Sequence, residues 1–167
     1  SLVVNAGAAT AMIYSCLCIT FAANLLGFVG EGAGLAVGIL QLGVFAGYTI
    51  GSMYVLKSGS DIGGNTFFLF ATMFGGAGGL LTVSGHIFDY LGIPYCWEIG
   101  SIVNVVCGLI LFVIAFANRI NSKADFLVIL FAAVGVSSAG LCGLVMPELF
   151  SLIGGIALGI DGIIAFY

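Results

Sequence analysis

Six long apolar segments, separated by short polar ones, form the pattern of this chain. Each segment approaches or exceeds the ~18–20 residues that a helix needs to cross the hydrocarbon core of a bilayer. The pattern therefore predicts an all-α membrane protein, a six-transmembrane-helix bundle that forms a single domain over residues 1–167. We place the spans near residues 3–28, 33–56, 66–85, 99–118, 125–145 and 150–167.

Composition excludes a soluble protein. Hydrophobic residues make up 62% of the chain and charged residues only 6%, whereas a soluble domain carries about 25% charged residues. The net charge of -4 also gives no basis for a nucleic-acid partner. We therefore expect a multi-pass protein of the cell membrane whose main surrounding is the lipid bilayer.

The basic residues predict the orientation of the chain. Lys57 follows the second span, and Arg119 and Lys123 follow the fourth, so all three lie on one side of the membrane. Basic loops are typical of the cytoplasmic side. Both termini are therefore predicted to be cytoplasmic. The opposite loops carry His86 and the acidic residues Glu31, Asp89, Glu98 and Glu148.

Glycines recur along several spans and predict close helix packing. Small residues let membrane helices approach closely enough for van der Waals contact. Each series would form a flat groove for a neighbouring helix or subunit, or would leave room beside a narrow pore. The second span contains Gly34, Gly38, Gly43, Gly47 and Gly51, and the sixth contains Gly154, Gly155, Gly159 and Gly162.

No catalytic arrangement is evident in the sequence. The single histidine, His86, lies in a loop without a nucleophile at useful spacing. The glycine-rich residues 75–79 lack the lysine and hydroxyl of a phosphate-binding loop. A metal site from His86, Asp89 and Glu98 would match no known ligand spacing. We expect a protein that is not an enzyme and that has no metal and no cofactor.

Asp161 is the one charged residue inside a predicted span. An acidic group in the membrane costs at least ~2.5–3.5 kcal/mol and usually faces a cavity or a partner. Asp161 is therefore a candidate proton site, although it could instead be hydrated at the cytoplasmic end of its helix. Uncharged polar residues in the spans could line a pathway or bond between helices: Asn5, Thr10, Ser15, Gln41, Tyr48, Asn104, Ser137 and Ser138.

A tetrapeptide at the start of the third span gives a family resemblance. Residues 64–67 read Gly-Asn-Thr-Phe, and Asn65 or Thr66 could cap the helix there. With this motif, six spans, a basic loop after the fourth and a glycine-spaced sixth, the chain resembles the acetate uptake transporter family, the acetate–succinate permeases. It departs from that family at residues 5–9, which lack the usual prolines, and at Asp161, where a small or apolar residue is usual.

The resemblance implies a homohexamer in which each subunit encloses a narrow route for small monocarboxylates, sometimes with protons. It also implies a constriction formed by an aromatic residue of span one, an aromatic of span three and an apolar residue of span five. Tyr14 and Phe131 match the first and third, and the second is either Phe74 or Gly75. The implied substrate pathway contains Asn5, Tyr14, Asn65, Thr66, Phe67, Phe74 and Phe131.

Three functions fit these features. The first is a channel or proton-linked transporter (a symporter) for acetate and related monocarboxylates, including succinate. The second is a channel for small neutral solutes such as urea, amides or ammonia, which suits the scarcity of basic residues in the spans. The third is a membrane scaffold subunit that transports nothing.

Overall fold

Six helices make up most of residues 6–166, the part of the chain that the computed structural model describes. All six are long and apolar enough to cross a membrane, which confirms the predicted all-α fold. Because the short polar segments fall at the helix ends, the chain runs back and forth through the bundle. The helices are α1 (Gly7–Leu25), α2 (Ala33–Lys57), α3 (Asp61–Tyr90), α4 (Glu98–Asn118), α5 (Lys123–Cys142) and α6 (Pro147–Phe166).

The third helix is longer than predicted at both ends. It begins at Asp61 rather than near residue 66 and ends at Tyr90 rather than near 85. Gly59 takes a left-handed conformation (φ 89°) that ends α2. The chain then turns at once into α3, because the Gly64 amide already donates to the Ser60 carbonyl at 2.9 Å.

Asn65 and Thr66 consequently do not cap this helix, which corrects the prediction. Both lie beyond the first turn, whose amides are the ones that a cap would satisfy. The Asn65 side-chain amide donates to the Asp61 carbonyl at 2.9 Å. The Thr66 hydroxyl donates to the Ile62 carbonyl at 2.7 Å. The tetrapeptide therefore stabilises the helix by bonds within it.

The middle of α3 is a π-helix over Phe70–Ala77. Such wider turns are rare and are often found at functional sites. Within this segment the Phe74 carbonyl accepts a hydrogen bond from the Gln41 side-chain amide of α2. This hydrogen bond between α2 and α3 supports the π-helix. The sequence pattern did not predict the π-helix.

Each helix packs against the next one along the chain, and α6 returns to α1, so the six helices close a ring. Small residues allow the closest approaches. Gly108 of α4 lies so near Ser137 of α5 that a Cβ there would stand 2.7 Å from the Ser137 amide nitrogen. The Gly162 carbonyl of α6 accepts a hydrogen bond from the Ser15 hydroxyl of α1.

The glycines of α2 serve two sides of that helix. A Cβ at Gly38 would meet Thr82 of α3, and a Cβ at Gly51 would meet Thr10 of α1. Gly43, by contrast, faces open space within the described chain. The predicted close packing is thus present at Gly38 and Gly51, while Gly43 belongs to the outer surface of the helix bundle.

Candidate functional site

A wide cavity opens at the end of the bundle that carries the basic loops. Its volume is about 710 Å³. Ser58, Asp61, Asn118 and Asp125 surround its mouth because α2 and α4 end here while α3 and α5 begin. Deeper in the bundle the walls become apolar and aromatic. The inner lining includes Tyr14, Tyr48, Phe67, Phe70, Leu111, Ile129 and Ala132.

Six aromatic side chains close the inner end of this cavity, and we call them the aromatic constriction: Tyr14, Phe21, Tyr48, Phe67, Phe70 and Phe74. The rings form a continuous series. The centroids of Tyr14 and Phe70 are 4.9 Å apart, those of Phe70 and Phe74 4.8 Å, and those of Phe74 and Phe21 4.7 Å. Tilted and edge-to-face pairs at these distances stabilise one another.

A second, narrow cavity of about 100 Å³ lies beyond the constriction. Four helices establish the position of the narrow cavity. Each of them contributes one residue to the narrow cavity and another, about two turns away, to the wide cavity. Two turns span ~11 Å along a helix axis. The pairs, narrow cavity first, are Phe21 and Tyr14, Gln41 and Tyr48, Gly78 and Phe70, and Asn104 and Leu111. The aromatic constriction therefore separates two cavities within one ring of helices.

Asp161 lies at the level of the constriction and has no accessible surface. Its carboxyl accepts a hydrogen bond from the Tyr14 hydroxyl, and the Cys18 thiol donates to the same oxygen at 3.8 Å. The other oxygen, Oδ1, has no hydrogen-bond partner within residues 6–166. The interpretation of Asp161 as a hydrated residue near the end of its helix is therefore wrong.

Aromatic residues form the outer wall of the narrow cavity. The Tyr95 hydroxyl donates to the Leu81 carbonyl at 2.7 Å, and partial burial raises the pKa of Tyr95, so the phenol stays protonated at neutral pH. The Trp97 ring packs on Gly85 and against the His86 ring, with centroids 5.2 Å apart.

Polar groups in and beside the loop between α3 and α4 contact one another. The Trp97 indole donates to Asp89 at 3.1 Å, and the Cys96 thiol donates to Glu98 at 3.3 Å. Across residues 6–166, His86, Asp89 and Glu98 do not converge on a common point that could hold a metal ion.

The predicted pathway residues separate into two groups. Tyr14, Phe67 and Phe74 lie in the aromatic constriction, and Thr66 lines the wide cavity. Of Phe74 and Gly75, it is Phe74 whose side chain contributes. Asn65 is exposed, and its side chain bonds within its own helix. Asn5 lies outside the described residues.

Phe131 is half-buried and, within the described chain, lies outside the core cluster that contains the constriction. Ile129 and Ala132 of the same helix line the wide cavity instead. They are three residues apart and share a face of α5, whereas Phe131 lies on another face. Phe131, which was predicted for the constriction, is therefore not among the residues that line the wide cavity. Those residues lie two positions before it and one position after it.

Three contributors to the constriction were not predicted in that role. Tyr48 was recognised only as a polar residue, and Phe21 and Phe70 were not singled out. The signal available was the aromatic spacing of Phe67, Phe70 and Phe74 within the third span. Spaced at i, i+3 and i+7, these three positions share one face of a regular α-helix, so the sequence alone could have placed Phe70 with the other two.

One solved structure has a closely similar architecture. The bacterial acetate channel SatP matches with a TM-score of 0.74 over 98% of this chain and 88% of that chain, at 15% sequence identity. This chain has the fold of that channel. It is a multi-pass helical membrane protein, as predicted. No family model and no curated protein matches the sequence.

Proposed function

We propose that this protein is a channel or proton-linked transporter for small monocarboxylates such as acetate, with succinate at the upper end of its size range. The observation that carries the proposal is the aromatic constriction, which lies between two cavities inside one subunit. The fold, similar to that of an acetate channel, supports it.

The chemistry of the constriction suits such a solute. Ring faces accommodate a methyl group, and the loss of water at a narrow apolar passage excludes ions that are held by hydration alone. Tyr48 adds a hydroxyl group that could replace water around a carboxyl group, whereas the Tyr14 hydroxyl already donates to Asp161. The Tyr48 hydroxyl is buried and has no partner among the described residues, so it is available to a solute.

Asp161 is our candidate for proton coupling. Its carboxyl faces Tyr14 and Cys18 of α1, and Tyr48 of α2 lies near enough to interact electrostatically. An ionised carboxylate here would repel an anion in the constriction, so anion passage would favour the protonated form. Binding and release of a proton at Asp161 would then accompany solute movement.

A second function, a channel for small neutral solutes, is supported by the charge of the pathway. Asp61 and Asp125 line the mouth of the wide cavity, and Asp161 lies at the constriction. The basic side chains Lys57, Arg119 and Lys123 are all exposed at the helix ends. Acidic walls favour an uncharged solute over an anion.

Parallel flux measurements in proteoliposomes test both functions. Labelled acetate and labelled urea would be loaded outside, and uptake would be compared with that of protein-free liposomes at equal lipid. We expect protein-dependent acetate uptake. Urea uptake without acetate uptake would select the second function. If neither solute is taken up, both proposed functions are overturned.

The assembly and orientation implied by the sequence remain part of the proposal. We expect a homohexamer in the cell membrane with both termini in the cytoplasm, so that the wide cavity opens inward. Gly43, which faces open space on the outer side of α2, could admit a helix of another subunit. Native mass spectrometry in detergent would give the number of subunits.

A further inference from the structure

We propose that the narrow cavity is a binding site for the uncharged form of a solute, one that carries an O–H or N–H donor, and that Gln41 and Asn104 bind that donor. A protonated carboxylic acid and a primary amide share this chemistry. The inference rests on the proposed function and deepens it, because it states which form of the solute passes this half of the pathway.

The orientation of the Gln41 amide makes its oxygen the group available to a solute. Gln41 is 2% exposed, and its Nε2 donates to the Phe74 carbonyl in the π-helix. Since a carbonyl can only accept, this bond identifies the nitrogen and leaves Oε1 as the free end. No donor among residues 6–166 reaches Oε1, although the atom is buried.

Asn104 of α4 provides a second polar group in the same cavity. Its Oδ1 is also buried and has no hydrogen-bond partner in the described chain. Gln41 and Asn104 both line the narrow cavity, on different helices of the ring. Leaving two buried acceptors unpaired destabilises the protein, because each has lost its hydrogen bonds to water. A ligand that donates hydrogen bonds would remove that cost.

The size of the cavity suits a molecule of several non-hydrogen atoms. Its volume is about 100 Å³, and a single water needs only about 10–15 Å³ of such space. Phe21 and Leu81 supply apolar wall for a methyl group, while Thr82 and Ser101 add hydroxyls. A small acid or amide thus fits both the volume and the mixed polarity.

Charge decides between the ionised and the neutral form of the solute. A carboxylate offers only acceptors, which would face the Gln41 Oε1 acceptor without a shared proton. No lysine or arginine lines this cavity within residues 6–166, so nothing there compensates an anion. The donor of a neutral acid or amide, in contrast, completes the hydrogen bonding of Gln41.

Two variants and one control test the site. Gln41→Met and Asn104→Leu keep the approximate size and remove the acceptors. Gln41→Met also removes the hydrogen bond to the Phe74 carbonyl, so Asn104→Leu is the variant that tests a lost acceptor by itself. Ser137→Ala also removes a buried, unpartnered polar group, but at a place outside both cavities, against Gly108. Proteoliposome uptake of acetamide and of labelled acetate would be measured for all three and for the wild type.

We expect Gln41→Met and Asn104→Leu each to lower uptake about tenfold, the effect of losing one good hydrogen bond, and Ser137→Ala to match the wild type. If only acetate uptake decreases, the donor that the site binds is the O–H of the protonated acid. If uptake of both solutes decreases, the site binds either the O–H of an acid or the N–H of an amide. If neither variant differs from the wild type while acetate uptake persists, the inference is wrong and the proposed function stands.

A binding measurement keeps the inference testable if transport is absent. Excess acetamide should raise the unfolding temperature of the purified wild-type protein and of Ser137→Ala, but not that of Gln41→Met. No shift in any of them would mean that the cavity holds water only, which would overturn the proposal whatever the transport assay shows.

Discussion

The Tyr14 hydroxyl of α1 donates a hydrogen bond to the Asp161 carboxyl of α6, across 147 positions of sequence. Both side chains are buried, Asp161 completely. The bond joins the first and last helices of the ring at the level of the aromatic constriction. It therefore links Asp161, the one buried acidic residue of the described chain, to a ring of the aromatic constriction.

Asp161→Asn should preserve solute flux and leave only the pH dependence that comes from protonation of acetate itself. Asparagine keeps the shape and can still accept the Tyr14 hydrogen bond, but it cannot release a proton. In the wild type we expect acetate uptake to rise more steeply as the pH falls, because protonation of Asp161 also removes the repulsion between its carboxylate and the anion. Urea, which does not titrate, provides the control solute. A variant whose acetate uptake has the same pH dependence as the wild type would show that Asp161 carries no coupled proton.

Phe70→Leu should widen the aromatic constriction and raise acetate uptake several-fold, with succinate uptake increasing more. Phe70 lies between Tyr14 and Phe74 in the ring series, so its removal opens the centre of that series. Phe131→Leu is the matched control, since that side chain is half-buried and lies outside the constriction. Equal effects of the two changes would mean that the rings do not limit flux.

Gly108→Ala should destabilise the helix bundle by about 1–3 kcal/mol, as overpacking does in protein cores. The added Cβ would lie 2.7 Å from the backbone nitrogen of Ser137, which cannot move without separating α4 from α5. Gly159→Ala controls for helix propensity, because its Cβ would be in ordinary contact, 3.7 Å from that of Ala22. Thermal unfolding in detergent measures both. Indistinguishable midpoints would contradict the close approach of α4 and α5.

Cys96 should react with a membrane-impermeant maleimide added outside intact cells. It is exposed in the loop between α3 and α4, on the side opposite the basic residues. The other cysteines would be replaced by alanine, and Ser58→Cys in a background that also lacks Cys96 would mark the mouth of the wide cavity. We expect Ser58→Cys to react only after permeabilisation. The reverse pattern would invert the predicted orientation.

Much of the fold could be predicted from the sequence. Six apolar runs determine six helices, because a chain in hydrocarbon must pair its backbone groups internally and needs about 20 residues to cross. The resemblance at residues 64–67 led to the fold that the structure shows. Tyr14, Phe67 and Phe74, which were named as pathway residues, lie together in the aromatic constriction, and their role in transport remains a prediction.

The tertiary structure alone decided how these side chains meet. Hydropathy is nearly blind to helix rotation in a chain that is apolar on every face, so it could not show that Ile129 and Ala132, rather than Phe131, line the wide cavity. It also could not show the π-helix over Phe70–Ala77, because the Gln41 side chain that bonds to the Phe74 carbonyl comes from another helix. The charge of Asp161 was visible in the sequence. Its burial against Tyr14 required the ring of helices to close, since only packing brings α6 back to α1.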